Sequence, residues 1–133
     1  MNSKEISNNR KALLLILNYL QDAHNGIDRI VTLPDNLGNA IWVECDKFDI
    51  VLTIVKAYQD RECVKIEELR VDEKFRGQGI GTELLAAIKY ICDLTNAKVG
   101  FWVDINNNRL LDFYTKNGFI LKETVRDHWL EYN

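Results

Sequence analysis

Between Val71 and Thr82 the chain reads Val-Asp-Glu-Lys-Phe-Arg-Gly-Gln-Gly-Ile-Gly-Thr, where a β-like run meets three alternate glycines and then an amphipathic helix. No other stretch restricts the fold as much. A strand that feeds a glycine-rich turn and then a helix is the layout of an α/β unit, and it sets backbone amides at a helix N-terminus, where an anion can meet them. Glycines let the main chain approach such a group closely, and Arg76 adds a fixed positive charge. Two well-known phosphate loops are excluded. A P-loop needs Gly-Lys-Ser/Thr, but Gly81 is followed directly by Thr82. The dinucleotide fingerprint needs its third glycine three residues after the second, whereas Gly77, Gly79 and Gly81 are evenly spaced by two. The competing reading is a glycine-rich turn with a structural role only.

Hydrophobic spacing assigns the rest of the chain. A helix is expected from about Lys4 to Ala23, with Ile6, Leu13, Leu14, Leu17 and Leu20 at helical intervals and Leu15 and Ile16 widening the face. Strands follow at Ile27 to Leu33, Ala40 to Cys45, Phe48 to Tyr58 and Cys63 to Val71, with turn chemistry at Pro34-Asp35-Asn36 and Asp46-Lys47. A strongly amphipathic helix from Gly79 to Thr95 precedes a strand from Val99 to Ile105. A helix from about Asn107 to Lys116 stops at Asn117-Gly118, and Phe119 to Thr124 and His128 to Tyr132 form a closing strand pair. The expected fold is therefore α/β (α+β), with helices covering a mixed sheet. With 133 residues, no Ser- or Gly-rich linker and no repeat, residues 1–133 read as a single domain.

Composition removes several function classes. Seventeen Lys and Arg against 20 Asp and Glu give a net charge of −3, the opposite of a nucleic-acid binder's basic footprint. Cys45, Cys63 and Cys92 are odd in number and show no paired spacing, so they read as reduced, mostly buried thiols of a cytoplasmic protein. The apolar run Ala12 to Leu17 is far below the ~20 residues of a membrane span. His24 and His128 stand in no metal-ligand spacing, so no metal is expected. Ser3 and Ser7 are the only serines, which leaves little from which to build a serine-hydrolase site.

Arg76-x-x-Gly79-x-Gly81 between strand and helix resembles the acetyl-CoA signature of the GNAT superfamily of N-acetyltransferases. Val103, Asn107, Phe113, Tyr114, Lys116, Gly118 and Phe119 resemble that family's later strand-and-helix pattern, so two motifs occur in the family's order over about Ile66 to Phe119. The resemblance implies a mixed, mostly antiparallel sheet splayed between strands four and five, with acetyl-CoA in the gap. It also implies contacts. Backbone groups of Leu69 and Val71 would pair with the pantetheine arm, while the amides of Arg76, Gly77, Gln78, Gly79, Ile80 and Gly81 and the Thr82 hydroxyl would hold the pyrophosphate. Asn107 would touch the arm from the other side, and Tyr114 would sit near the sulfur.

The implied activity is transfer of an acetyl group to a primary amine, on a protein lysine or N-terminus or a small molecule, by direct attack in a ternary complex. An amine with pKa near ~10.4 must first lose a proton, and a departing thiolate with pKa near ~8.5 gains from a donor. Tyr114 is the candidate acid. Glu67 and Glu68 are the candidate bases, expected on opposite faces of strand four by alternation, with Glu67 favoured by the family's Ile-Glu-x-Leu-x-Val wording and Asp104 in reserve. Two departures stand out: the family commonly opens with a strand and two helices, whereas this chain starts with a helix, and Leu110 stands where alanine is common. A non-catalytic acyl-CoA-binding or protein-interaction module is the alternative. Trp102, Trp129 and Tyr132 either pack in the core or expose an edge for a homodimer, and the sequence leaves both open.

Overall fold

A computed structural model describes residues 8–23, 27–32, 40–56 and 58–132, with 27–32 and 60 described by their backbone alone. In chain order the elements are α1 (Asn8–Ala23), β1 (Ile27–Thr32), β2 (Ala40–Cys45), β3 (Phe48–Lys56), β4 (Glu62–Val71), α2 (Ile80–Thr95), β5 (Val99–Asp104), α3 (Asn108–Lys116), β6 (Phe119–Thr124) and β7 (Asp127–Tyr132). Short 3₁₀ turns at Tyr58–Asp60 and Glu73–Phe75 flank β4. The first of these ends β3 two residues before the expected Tyr58. The expected beginning of α1 before Asn8, the Pro34-Asp35-Asn36 turn, His24, Ser3 and Ser7 lie outside the described residues.

The strands form one sheet in the order β1-β2-β3-β4-β5-β7-β6. Every neighbouring pair is antiparallel except β4 with β5. That parallel pair touches only at Val64↔Val99 and Lys65↔Gly100, whereas β4 stays paired with β3 from Glu62 to Val71. Beyond Lys65 the two strands part, which bears out the splay between strands four and five. One irregularity marks the spot. Val51 faces Glu68 and Leu52 faces Ile66, so Glu67 is an extra residue in β4, and a bulge of this kind bends and twists its strand.

All three helices cover one face. Ile41, Val43, Phe48, Ile50, Leu52, Val64, Ile66, Val99, Val103 and Leu130 share one buried cluster with Leu13 and Ile16 of α1, Leu84, Leu85 and Ile88 of α2 and Tyr114 of α3. The alternate strand positions point the other way, to a face that holds Trp42, Thr53, Lys65, Trp102, Trp129 and Glu131. Among the described residues no helix lies over that face. Trp129 is nevertheless fully buried there: its ring sits on Gly100, where a Cβ would come within 2.3 Å, and Trp102 tilts against it at 4.9 Å between centroids. Trp129 Nε1 donates to buried Glu131 at 2.9 Å, and Arg61 reaches the same carboxylate at 3.5 Å. Trp129 is thus a core residue rather than an exposed edge.

Cys45, Cys63 and Cys92 are free and buried, as their composition and spacing suggested. No described helix is long and apolar enough to cross a membrane.

Candidate active site

The glycine loop is built for openness at its tip and closeness at its base. Asp72 accepts from the Lys74 amide at 3.0 Å and turns the chain out of β4. Gly77 and Gly79 both have φ near +80°, a region other residues enter at a cost of about 1–2 kcal/mol, yet a Cβ at either would meet nothing within 4 Å. Gly81 is different. A Cβ there would stand 3.3 Å from the Phe113 ring of α3, so a side chain at this position would have to press that ring aside.

Gly79 is the N-cap of α2 and makes no side-chain cap, and the first helical bond runs from Glu83 N to Gly79 O at 2.9 Å. The amides of Ile80, Gly81 and Thr82 therefore have no acceptor within the helix, and they carry the positive end of its dipole. A phosphate or pyrophosphate oxygen fits this opening. Arg76 is held beside it, because its Nε donates to the Val71 carbonyl at 3.1 Å. That bond uses the carbonyl which the resemblance assigned to the pantetheine arm.

A cleft of about 290 Å³ lies over these amides, lined by Val71, Phe75, Arg76, Gly77, Gly79, Ile80, Gly81, Thr82 and Phe113. A second cleft, of about 280 Å³, is lined by Asn107, Arg109, Leu110 and Phe113. Phe113 is a wall of both. Leu69 packs on the core cluster and Gln78 is exposed, and neither lines the first cleft. Asn107 caps α3, its Oδ1 accepting from the Leu110 amide at 3.1 Å, so its side-chain carbonyl is engaged while its amide group is outside that bond. Leu110, set where alanine is common, forms part of the second cleft's wall.

Tyr114 lies just beneath. It is buried, stacked on Phe101 at 4.3 Å between centroids and set edge-on to Phe113 and Phe119. Phe101 is the first β5 residue past the last pair with β4, so Tyr114 sits where the strands part. Desolvation pushes its phenol well above the ordinary value of 10 and keeps it protonated.

The two glutamates do not alternate. Glu67 Oε1 takes Lys65 Nζ at 2.9 Å and Thr53 Oγ1 at 3.2 Å. Glu68 lies 4.0 Å from Arg70, which is itself paired with Asp49. Thr53 and Asp49 share one face of β3, so both glutamates are on the helix-free face. The cause is the extra residue at Glu67, which spends one step of alternation. Alongside them a cleft of about 440 Å³ is lined by Lys65, Trp102, Val125, Arg126 and Asp127. Asp104 is exposed at the end of β5, where its Oδ1 accepts from the Asn106 amide at 2.8 Å. Sequence reasoning missed Phe113 as a site residue, Lys65, and the β6–β7 turn at Val125–Asp127. Phe113 had a signal, since it stands in the motif beside Tyr114. The turn had none, because its part in the cleft depends on a neighbour on β4.

A gap between parallel strands, an uncapped helix N-terminus and a buried tyrosine on the facing helix form one constellation, and the sequence profile of the Acetyltransferase (GNAT) family matches residues 42–119. The chain belongs to the GNAT acetyltransferase family. An uncharacterised N-acetyltransferase of Methanocaldococcus jannaschii is 41% identical over 73 residues, 54% of this chain and 32% of that protein. The match thus spans about a third of that relative's length.

Solved structures share the fold at lower identity. Naa50 of Arabidopsis thaliana, in complex with the bisubstrate analogue CoA-Ac-MVNAL, superimposes with a TM-score of 0.56 at 22% identity, covering 89% of each chain. The paia N-acetyltransferase of Thermoplasma acidophilum, in complex with coenzyme A, gives 0.55 at 20% identity over 91% of this chain and 69% of that one. A GNAT family acetyltransferase of Elizabethkingia anophelis with acetyl-CoA bound gives 0.55 at 19% identity over 75% and 80%. In this chain α1 precedes β1, and seven residues separate β1 from β2.

Proposed function

We propose that this chain is an acetyl-CoA-dependent N-acetyltransferase acting on a primary amine. The carrying observation is the uncapped N-terminus of α2 opening at the Val71 end of β4, where that strand has already parted from β5. Acetyl-CoA would supply the thioester carbonyl. The amides of Ile80, Gly81 and Thr82, with Arg76 beside them, would hold its phosphates, and Phe113 and Asn107 would wall the arm that runs to the gap.

The acceptor would come from the opposite face, through the cleft beside Lys65 and Trp102, so that donor and amine meet across the seam. Glu67 is favoured over Glu68 as the base, because it stands at the bulge where β4 turns away from β5. Lys65 holds the same carboxylate, so an incoming ammonium competes with a resident one of equal charge. Tyr114 keeps its proton and is suited to donate a hydrogen bond to the developing thiolate. Full transfer from a phenol with a raised pKa to a thiolate near ~8.5 runs uphill, so its role is stabilisation more than delivery of the proton.

Calorimetry with acetyl-CoA on wild type and on Gly79→Glu tests the donor site. Binding in the micromolar range, lost in the variant while the fold is retained, is the expected result. Release of free CoA in the presence of a panel of amines tests the reaction, with Glu67→Gln and Tyr114→Phe expected to lower turnover about tenfold to a thousandfold while leaving acetyl-CoA binding intact. Tight binding with no CoA release from any acceptor would replace this reading with that of a non-catalytic acyl-CoA-binding module.

A further inference from the structure

Helix α1 carries apolar side chains on its outer as well as its inner side. Ala12, Leu13, Ile16 and Leu20 are buried in the core, yet Leu14 and Leu15 on the far side are 55% and 43% exposed. Helix α2, beside it, repeats the arrangement: Leu84, Leu85 and Ile88 point inward, while Tyr90 and Leu94 are 65% and 63% exposed. A groove of about 590 Å³ runs between the outer surfaces of the two helices, with Leu15, Tyr19, Ala87, Tyr90 and Leu94 along it. A contiguous exposed apolar patch marks a contact surface.

We propose that this face is the interface of a homodimer in which α1 packs antiparallel on α1 of a second copy. The charges on its outer stripe are what single out a second copy. Lys11, Leu14, Leu15, Asn18 and Asp22 lie on one side of α1 at helical spacing, with the cation at one end and the anion at the other. A twofold axis between Leu15 and Asn18 sets Lys11 of each copy opposite Asp22 of the other, and Leu14 opposite Tyr19. Such a self-complementary stripe is what an isologous contact requires.

Within one chain the same charges are misplaced. The first turn of α1 has no acid and its last turn no base, so Lys11 and Asp22 both oppose the helix dipole. Neither forms an ion pair among the described residues. Packed antiparallel, both gain a partner and the two dipoles oppose one another favourably.

Sedimentation velocity on the full chain tests this. A species of twice 15.5 kDa is expected at micromolar concentration. Lys11→Glu and Asp22→Lys should each weaken association about tenfold, since two symmetric ion pairs are lost, and the double swap should restore it. Leu14→Glu should give a monomer with an unchanged far-ultraviolet circular dichroism spectrum, which separates a broken interface from a broken fold. A wild type that sediments at 15.5 kDa across a hundredfold range of concentration would overturn the proposal. So would a double swap that fails to restore the dimer. Hydrogen exchange on such a monomer would then tell whether α1 is covered by this chain's own N-terminal residues or open to a different protein; either result counts against a second copy.

Discussion

On the helix-covered face the strands present Val43, Ile50, Val64 and Val103 without exposure, while the same strands turn Glu44, Thr53, Lys65 and Asp104 to the opposite face. The first face is held by many interchangeable aliphatic contacts. The second depends on a few specific ones: Trp129 on Gly100, the Trp129–Glu131–Arg61 chain, and the Lys65–Glu67–Thr53 contacts. The difference shows where stability and chemistry divide. The covered face can lose a methylene and relax, whereas the open face uses shape and polarity around a seam that donor and acceptor would approach from opposite sides.

Gly100→Val should give the largest effect. Its Cβ would fall 2.3 Å from the Trp129 ring and 2.9 Å from the Leu130 carbonyl, so a loss of about 4 kcal/mol or a failure to fold is expected, read from urea denaturation. Adding Trp129→Leu to Gly100→Ala should recover part of the loss; no recovery would mean that the strand backbone and not the ring sets the limit. On the covered face, Leu85→Ala removes a side chain with no exposure and should cost about 3 kcal/mol with the fold intact. If Leu85→Ala proves worse than Gly100→Val, the contrast between the faces is reversed.

Alkaline pH samples both faces at once. Burial raises Cys63, on the open face, and Cys92, on α2, each from 9.0 to about 12. The unfolded thiols ionise first, so above pH 9 the folded state binds more protons and its stability falls until about pH 12. Raising the pH from 9 to 10.5 should cost about 3 kcal/mol, about half of it from each thiol, and Cys63→Ala and Cys92→Ala should each flatten the slope. A slope that only one of them changes would place the effect on a single face. The smallest effect is expected for Arg61→Ala. The buried Glu131 keeps its bond from Trp129, and the half-exposed arginine contributes about 1 kcal/mol in the same denaturation assay.

What could be read in the sequence is what local rules govern. The spacing of Leu84, Leu85, Ile88 and Ile91 placed α2, alternation placed β2 and β6 to the residue, and Asn117-Gly118 marked the stop of α3, where Gly118 has φ +89°. The loop from Arg76 to Thr82 was legible as a glycine turn opening onto a helix N-terminus because strand, glycines and helix are contiguous in the chain. Glu67 and Glu68 were misplaced for a physical reason. Alternation is a property of one strand, but a bulge arises from the register of two, here β3 against β4.

The rest was decided by residues that are distant in sequence. Gly100 is indispensable only because Trp129 arrives on a neighbouring strand, and a side chain at Gly81 is crowded only because α3 brings Phe113 against it. The cleft on the open face joins Lys65 of β4, Trp102 of β5 and the turn at Val125–Asp127, three segments that share no local pattern. Backbone preference and hydrophobic period act within a few residues, so the amino-acid order by itself determined the elements and the glycine turn before α2. Which side chains meet, and across which gap, depends on sheet order and register, and those exist only in the folded chain.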